Sequence, residues 1–155
     1  MESESFGTVL IGHNVLFREG LRHILNAADF CVVASASDAD ISVLSSLPQD
    51  RPLLLIIETN SDFHRTLHQI DSFRERYPAA RVAVLAHRHH PHQIRDMVSA
   101  FQRGANAFFL NMTTREVFIK SIELIMLGET ILPAVILTFL SEREGEFVIG
   151  SEGLN

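Results

Sequence analysis

The sequence predicts an α/β protein: five parallel strands covered on both faces by helices. Two observations predict it. Five short apolar runs do not alternate with polar residues, and an amphipathic stretch follows each of them. Runs without alternation belong to strands buried on both faces. Strand–helix alternation makes βαβ units with right-handed crossovers.

The elements follow in order. Thr8–Ile11 (TVLI) is the first strand-length run, with the helix-like Leu16–Ala27 after it. Cys31–Ala34 (CVVA) leads into Asp40–Leu47, and Leu53–Glu58 (LLLIIE) into Phe63–Tyr77. Val82–Ala86 (VAVLA) precedes His92–Arg103, and Ala107–Leu110 (AFFL) precedes Thr114–Leu127. Tyr77-Pro78, Arg103-Gly104 and Leu127-Gly128 are stop signals. Thr113 or Thr114 offers an N-cap for the last helix, with Glu116 in its first turn. Residues 1–127 read as the domain and 128–155 as a linker helix and tail, since apolar periodicity stops after Leu140.

A length of 155 residues with 46% hydrophobic and 21% charged residues suits one compact domain and excludes collagen-like and broadly disordered classes. Thirteen Lys and Arg against nineteen Asp and Glu leave a net charge of −6, which argues against this segment binding nucleic acid alone. The single cysteine, Cys31, excludes an internal disulfide and reads as a buried small hydrophobe. No run reaches membrane-spanning length, and Met1–Gly7 lacks the basic start and apolar stretch of a signal peptide, so a cytoplasmic protein is expected.

In sheets of this kind ligands sit beyond the carboxyl ends of the strands. The residues there are Gly12, His13 and Asn14, then Glu58, then Ala86 and His87, then Asn111.

The segment Leu16-Phe17-Arg18-Glu19-Gly20-Leu21 resembles the receiver domain of LuxR- or NarL-type response regulators. The resemblance continues through Arg51-Pro52, Arg76-Tyr77-Pro78-Ala79-Ala80-Arg81-Val82, Gly104-Ala105-Asn106-Ala107-Phe108-Phe109-Leu110 and Gly128-Glu129-Thr130-Ile131-Leu132-Pro133. It spans residues 8–140 in the family's order and implies a flavodoxin-like, doubly wound (βα)5 sheet of order 2-1-3-4-5. It also implies a site for phosphoryl transfer to an aspartate, served by an acidic pair for Mg²⁺, a Ser or Thr, and a Lys. In this chain the acidic pair falls on Gly12 and His13, the acceptor on Glu58, the hydroxyl residue on Ala86 and the lysine on Asn111. The switch aromatic falls on Phe108.

Mg²⁺ wants near-octahedral oxygen ligands, and histidine is a poor ligand for so hard an ion. Phosphoryl transfer rests on positioning and charge neutralisation, and with one carboxylate and no lysine neither is supplied. No Mg²⁺ or other cofactor is therefore expected, and no enzyme activity. Glu58 reads as a polar residue in a relic pocket rather than a standing imitation of a phosphorylated aspartate, because Ala86 and Asn111 remove the couplings such a charge would need.

Among the eight histidines, His64 and His68 share a helix face and read as solvated. His87, His89, His90 and His92 crowd the loop after the fourth strand, with His13 and Glu58 as candidate neighbours, and also read as solvated rather than metal-binding.

In Thr114–Leu127 apolar residues surround nearly the whole helix axis, whereas a helix covering a sheet needs one apolar face. Ala134–Leu140 (AVILTFL) is apolar almost all round as well. The surplus points to a partner surface, with Val117 and Leu124, about 20° apart on the helix wheel, as one stripe of a homodimer interface. The resemblance agrees, since NarL-type receivers pair through their first and last helices. The expected function is a degenerate receiver, a signal-transduction and dimerisation module of a transcriptional regulator. A partner protein or a helix-turn-helix domain following Asn155 would complete it. The alternatives are an α/β nucleotide- or ligand-binding protein, against which stand the missing GxGxxG and P-loop, or a stand-alone adaptor.

Overall fold

A computed structural model describes residues 6–59, 62–87, 93–110 and 114–133. Its elements run β1 (Gly7–Ile11), α1 (Val15–Ala27), β2 (Cys31–Ala36), α2 (Ile41–Ser45), β3 (Leu53–Glu58), α3 (Phe63–Arg76), β4 (Arg81–Ala86), α4 (Gln93–Gln102), β5 (Ala107–Leu110) and α5 (Arg115–Met126). The five strands form one parallel sheet of order β2-β1-β3-β4-β5, as expected.

Successive strand residues point to opposite faces, so each strand feeds two cores. Val9, Ile11, Leu55, Ile57, Val82 and Val84 pack against Leu44 of α2, Leu67, Ile70 and Phe73 of α3, and Met97 of α4. Leu10, Leu54, Ile56, Ala83 and Leu85 pack against Leu21 and Leu25 of α1 and Phe118, Ile122 and Ile125 of α5. This double covering explains the unbroken apolar runs. β2 is the exception: as an edge strand it is only half-buried along its length. Cys31, expected to be buried, is accordingly half-exposed, with Arg51 Nη1 3.8 Å from its sulfur.

Short polar side chains start the helices. Asn14 accepts the Phe17 N–H at 3.0 Å, Asp40 the Val43 N–H at 3.1 Å, Asp62 the Arg65 N–H at 3.2 Å and Thr114 the Val117 N–H at 3.2 Å. Each such cap contributes about 0.5–2 kcal/mol. Gly104 and Gly128 follow α4 and α5 with φ of +99° and +107°, a conformation that residues with a Cβ adopt only under strain. Beyond α5 the chain returns to the sheet. Ile131 N–H donates to the Asn106 carbonyl at 2.8 Å, and Phe108 N–H donates to the Ile131 carbonyl at 3.4 Å, a one-residue parallel bridge on the outer edge of β5. Among the described residues no helix is long and apolar enough to cross a membrane.

One buried group in β1 lacks a partner. Thr8 is fully buried and its Oγ1 has no hydrogen-bond partner among the described residues. An unsatisfied buried hydroxyl costs about 1–3 kcal/mol, and an isosteric methyl removes that cost. Thr8→Val is therefore expected to stabilise the domain by about 1 kcal/mol, read as a higher urea midpoint at unchanged slope. A lower midpoint would show that the hydroxyl is satisfied after all.

Candidate functional site

The carboxyl ends of β1, β3 and β4 meet at one edge. Gly12 prolongs β1 by donating its N–H to the Ala36 carbonyl at 3.0 Å. Glu58 closes β3 in register with Leu85 of β4, and His87 is the first residue past β4. Gly12 and Glu58 interlock. A Cβ on Gly12 would lie 2.8 Å from the Glu58 Cβ and would also overlap Oε1, so the glutamate occupies the space a side chain at position 12 would need.

The Glu58 carboxylate is spoken for at both oxygens. Oε2 lies 2.5 Å from His87 Nε2, and Oε1 accepts the Asn14 N–H over a long 3.4 Å. The side chain of Glu58 is 8% exposed, that of His87 37%. On its other side the His87 imidazole meets the Phe17 ring nearly perpendicularly, with ring centroids 4.4 Å apart.

A second polar cluster stands beside the first. His13 Nε2 is 3.3 Å from Asp38 Oδ1, and Arg65 of α3 donates to the same oxygen from Nε at 3.0 Å and approaches it with Nη2 at 2.9 Å. Partial desolvation works to raise the Asp38 pKa, but the hydrogen bonds and charges of Arg65 and His13 together outweigh it and hold the carboxyl below its ordinary value. Arg18 of α1 is buried and pins the β1–α1 turn, donating to the Gly12 carbonyl and the Ser35 hydroxyl, both at 2.8 Å.

The structure thus brings Gly12, Glu58 and His87 together and places His13 with Asp38 instead. Ala86 is buried and offers no polar group. Phe108 is buried too, its ring tilted against Phe63 of α3 at 6.4 Å. His64 and His68 are exposed on α3. Asn111, His89, His90 and His92 lie outside the described residues, as does Ala134–Leu140. Asp38, Arg65, Arg18 and Phe17 were not expected at the site. Asp38 had a usable signal: it follows β2 at the same sheet edge, and extending that strand from Ala34 to Ala36 brings it into view.

Among the described residues the donor set does not fit Mg²⁺. The Glu58 carboxylate is already held by an imidazole and a backbone amide, Gly12 offers no ligand, and the neighbouring Asp38 carboxylate is taken by Arg65 and His13, whereas a hard cation needs several oxygens. Among the described residues no three His, Cys, Asp or Glu side chains converge on a metal position. Next to the Asp38–Arg65 cluster, Ile41 and Leu44 of α2 and His68, Gln69 and Arg76 of α3 line an open groove of about 520 Å³.

On α5, Phe118, Ile122 and Ile125 face the sheet, while Val117 (52% exposed) and Leu124 (44%) face outward. Leu127 and, on α1, Val15 and Leu16 are exposed as well. Both helices cover the same sheet face.

No protein-family model matches the chain. Over 127 residues it is 28% identical to the nitrate/nitrite response regulator protein NarL of Escherichia coli (strain K12), a match that covers 80% of this chain and 56% of NarL. The chain thus spans about half the length of the curated relatives it matches. A LuxR-family two-component response regulator from Aurantimonas sp. SI85-9A1 superposes with a TM-score of 0.71 at 18% identity, over 89% of this chain and 96% of the other. The signal receiver domain of the putative response regulator NarL from Mycobacterium tuberculosis gives 0.65 at 22% identity, over 81% and 99%. RcsB, solved as two dimers bound to two parallel DNAs, gives 0.69 at 14% identity, over 87% and 67%. The fold is that of a response-regulator receiver domain. Its structural neighbours are of the LuxR/NarL type, and NarL is its relative in sequence.

Proposed function

We propose that this chain is a degenerate receiver: a non-enzymatic signalling and dimerisation module of a NarL/LuxR-type regulator whose output does not depend on a phosphorylated aspartate. One observation carries the reading. The carboxylate at the acceptor position is a glutamate that fills the space over Gly12 and is closed by His87, and position 12 itself offers no side chain to share a cation.

Residues 1–127 would form the receiver-like unit and 128–155 the linker helix and tail. In the whole protein, which by its relatives would be longer, a helix-turn-helix domain would supply the DNA contact that a segment of charge −6 does not. RcsB is a fold neighbour solved as dimers on DNA, and the outward apolar residues of α1 and α5 supply a surface for such pairing here. The setting this implies is the cytoplasm, as for a transcriptional regulator.

Acetyl phosphate or beryllofluoride with Mg²⁺ tests the reading directly. Mass and amide NMR spectrum are expected to stay unchanged. A stable adduct on Glu58, or Mg²⁺-dependent shifts around Gly12, would overturn it.

A further inference from the structure

The Glu58–His87 contact reaches beyond the strand ends because of what lies on its far side. Phe17 is the third residue of α1 and packs its half-buried ring on the α1/α5 core. Its neighbour Leu16 is the most exposed large apolar residue described, at 84%. His87 touches this turn through the Phe17 ring, at 4.4 Å and an interplanar angle of 83°. Glu58 touches it by another route, through the Asn14 N–H, while Asn14 caps the helix by accepting from Phe17 N–H. Both members of one titratable pair therefore contact the first turn of α1.

We propose that His87 and Glu58 form a proton-sensitive latch that sets the position of the first turn of α1, so that acidity reaches the outward Val15–Leu16 surface. The proposal rests on the reading above in one respect: this edge answers to something other than a phosphoryl group. Imidazole is the side chain that changes charge between pH 5 and 8. With His87 protonated and Glu58 ionised, the contact is charge-assisted and roughly twice as strong as a neutral one. Removing the imidazole proton leaves a neutral donor on the same carboxylate and a weaker tie. Protonating Glu58 in acid removes the charge from the other side.

Among the described residues, the other charged groups of this edge for which contacts are seen hold partners of their own. His13 of the β1–α1 turn and Arg65 of α3 both hold Asp38. Arg18 of α1 holds the Gly12 carbonyl and Ser35 of β2. The first turn of α4 brings Arg95 and Asp96, and the sequence before it holds Arg88, His89, His90 and His92. Because the chain carries eight histidines, the readout must be residue-specific.

An NMR pH titration of imidazole and amide signals serves, on the wild-type chain, His87→Gln and Glu58→Gln. In the wild type the Leu16 and Phe17 amides are expected to move with the midpoint of the His87 ring. In His87→Gln that movement should vanish while the other histidines still titrate. In Glu58→Gln it should shrink about twofold or more, as the contact loses its charge. Amides of Leu16 and Phe17 that stay flat through the His87 transition, or that keep their transition in His87→Gln, would overturn the latch. The wild-type titration alone can give the first of these results, so a variant that failed to fold would not rescue the idea. Acetyl phosphate with Mg²⁺ on the same samples separates the two readings. An adduct overturns the phosphoryl-independent site, whereas a flat titration without an adduct sinks the latch alone.

Discussion

Gly12→Ala is expected to destabilise the domain by about 1–3 kcal/mol, the usual range for overpacking a well-filled site. The methyl would sit 2.8 Å from the Glu58 Cβ, an atom fixed to the β3 backbone rather than the free end of a flexible side chain. Replacing glycine also narrows the unfolded ensemble, which works the other way by about 0.4–1 kcal/mol. The clash is the larger effect, so the net sign is a loss. For a chain of this size each kcal/mol lowers the melting temperature by about 2–4 °C. Gly12→Asp should lose more, because it sets a second carboxylate against Glu58. The cause is checked by a double-mutant cycle: in a Glu58→Ala background the Gly12→Ala penalty should fall by more than about 0.5 kcal/mol. Equal penalties in both backgrounds would show that the two residues do not interlock.

Leu124→Glu is expected to turn a dimer into a folded monomer. The inward residues of α5 are Phe118, Ile122 and Ile125, so a carboxylate at the half-exposed position 124 stays in water while the chain is alone. In a two-fold interface the same surface meets its own copy, and each new carboxylate is buried opposite the other. Burying such charges unpaired costs several kcal/mol, and about 3 kcal/mol already weakens dimerisation roughly a hundredfold. Sedimentation velocity beside a thermal melt distinguishes the outcomes. Unchanged dimerisation would move the interface off this stripe, and unfolding would place Leu124 in the core. A wild-type chain that is monomeric at high micromolar concentration would sink the dimer itself.

The sheet was legible because burial on both faces leaves a plain mark, unbroken apolar runs such as Leu53–Ile57, and because caps such as Thr114 are local chemistry. The double character of α5 was legible for the same reason: an apolar perimeter wider than one contact face means that some of it stays outside, and Val117 and Leu124 do. Which residues would meet at the strand ends was only half legible. Glu58 and His87 both sit at strand ends, so the sheet brings them together whatever lies between them. Asp38, by contrast, reaches His13 and Arg65 from the loop after an edge strand, and no periodicity reports how far such a loop folds over its neighbours. Arg18 was hidden differently. On an amphipathic helix an arginine reads as solvent-facing, and the buried Gly12 carbonyl at the end of β1 and the Ser35 hydroxyl of β2, which turn it inward, leave no mark in the periodicity.

The Ile131 bridge has a mechanical consequence. The chain leaves α5 and is fastened to the outer edge of β5 by two backbone hydrogen bonds before it proceeds further. The segment after α5 is therefore tied to the sheet and is not a free helix end, and one of its two ties is the backbone N–H of Phe108, the residue at the switch-aromatic position.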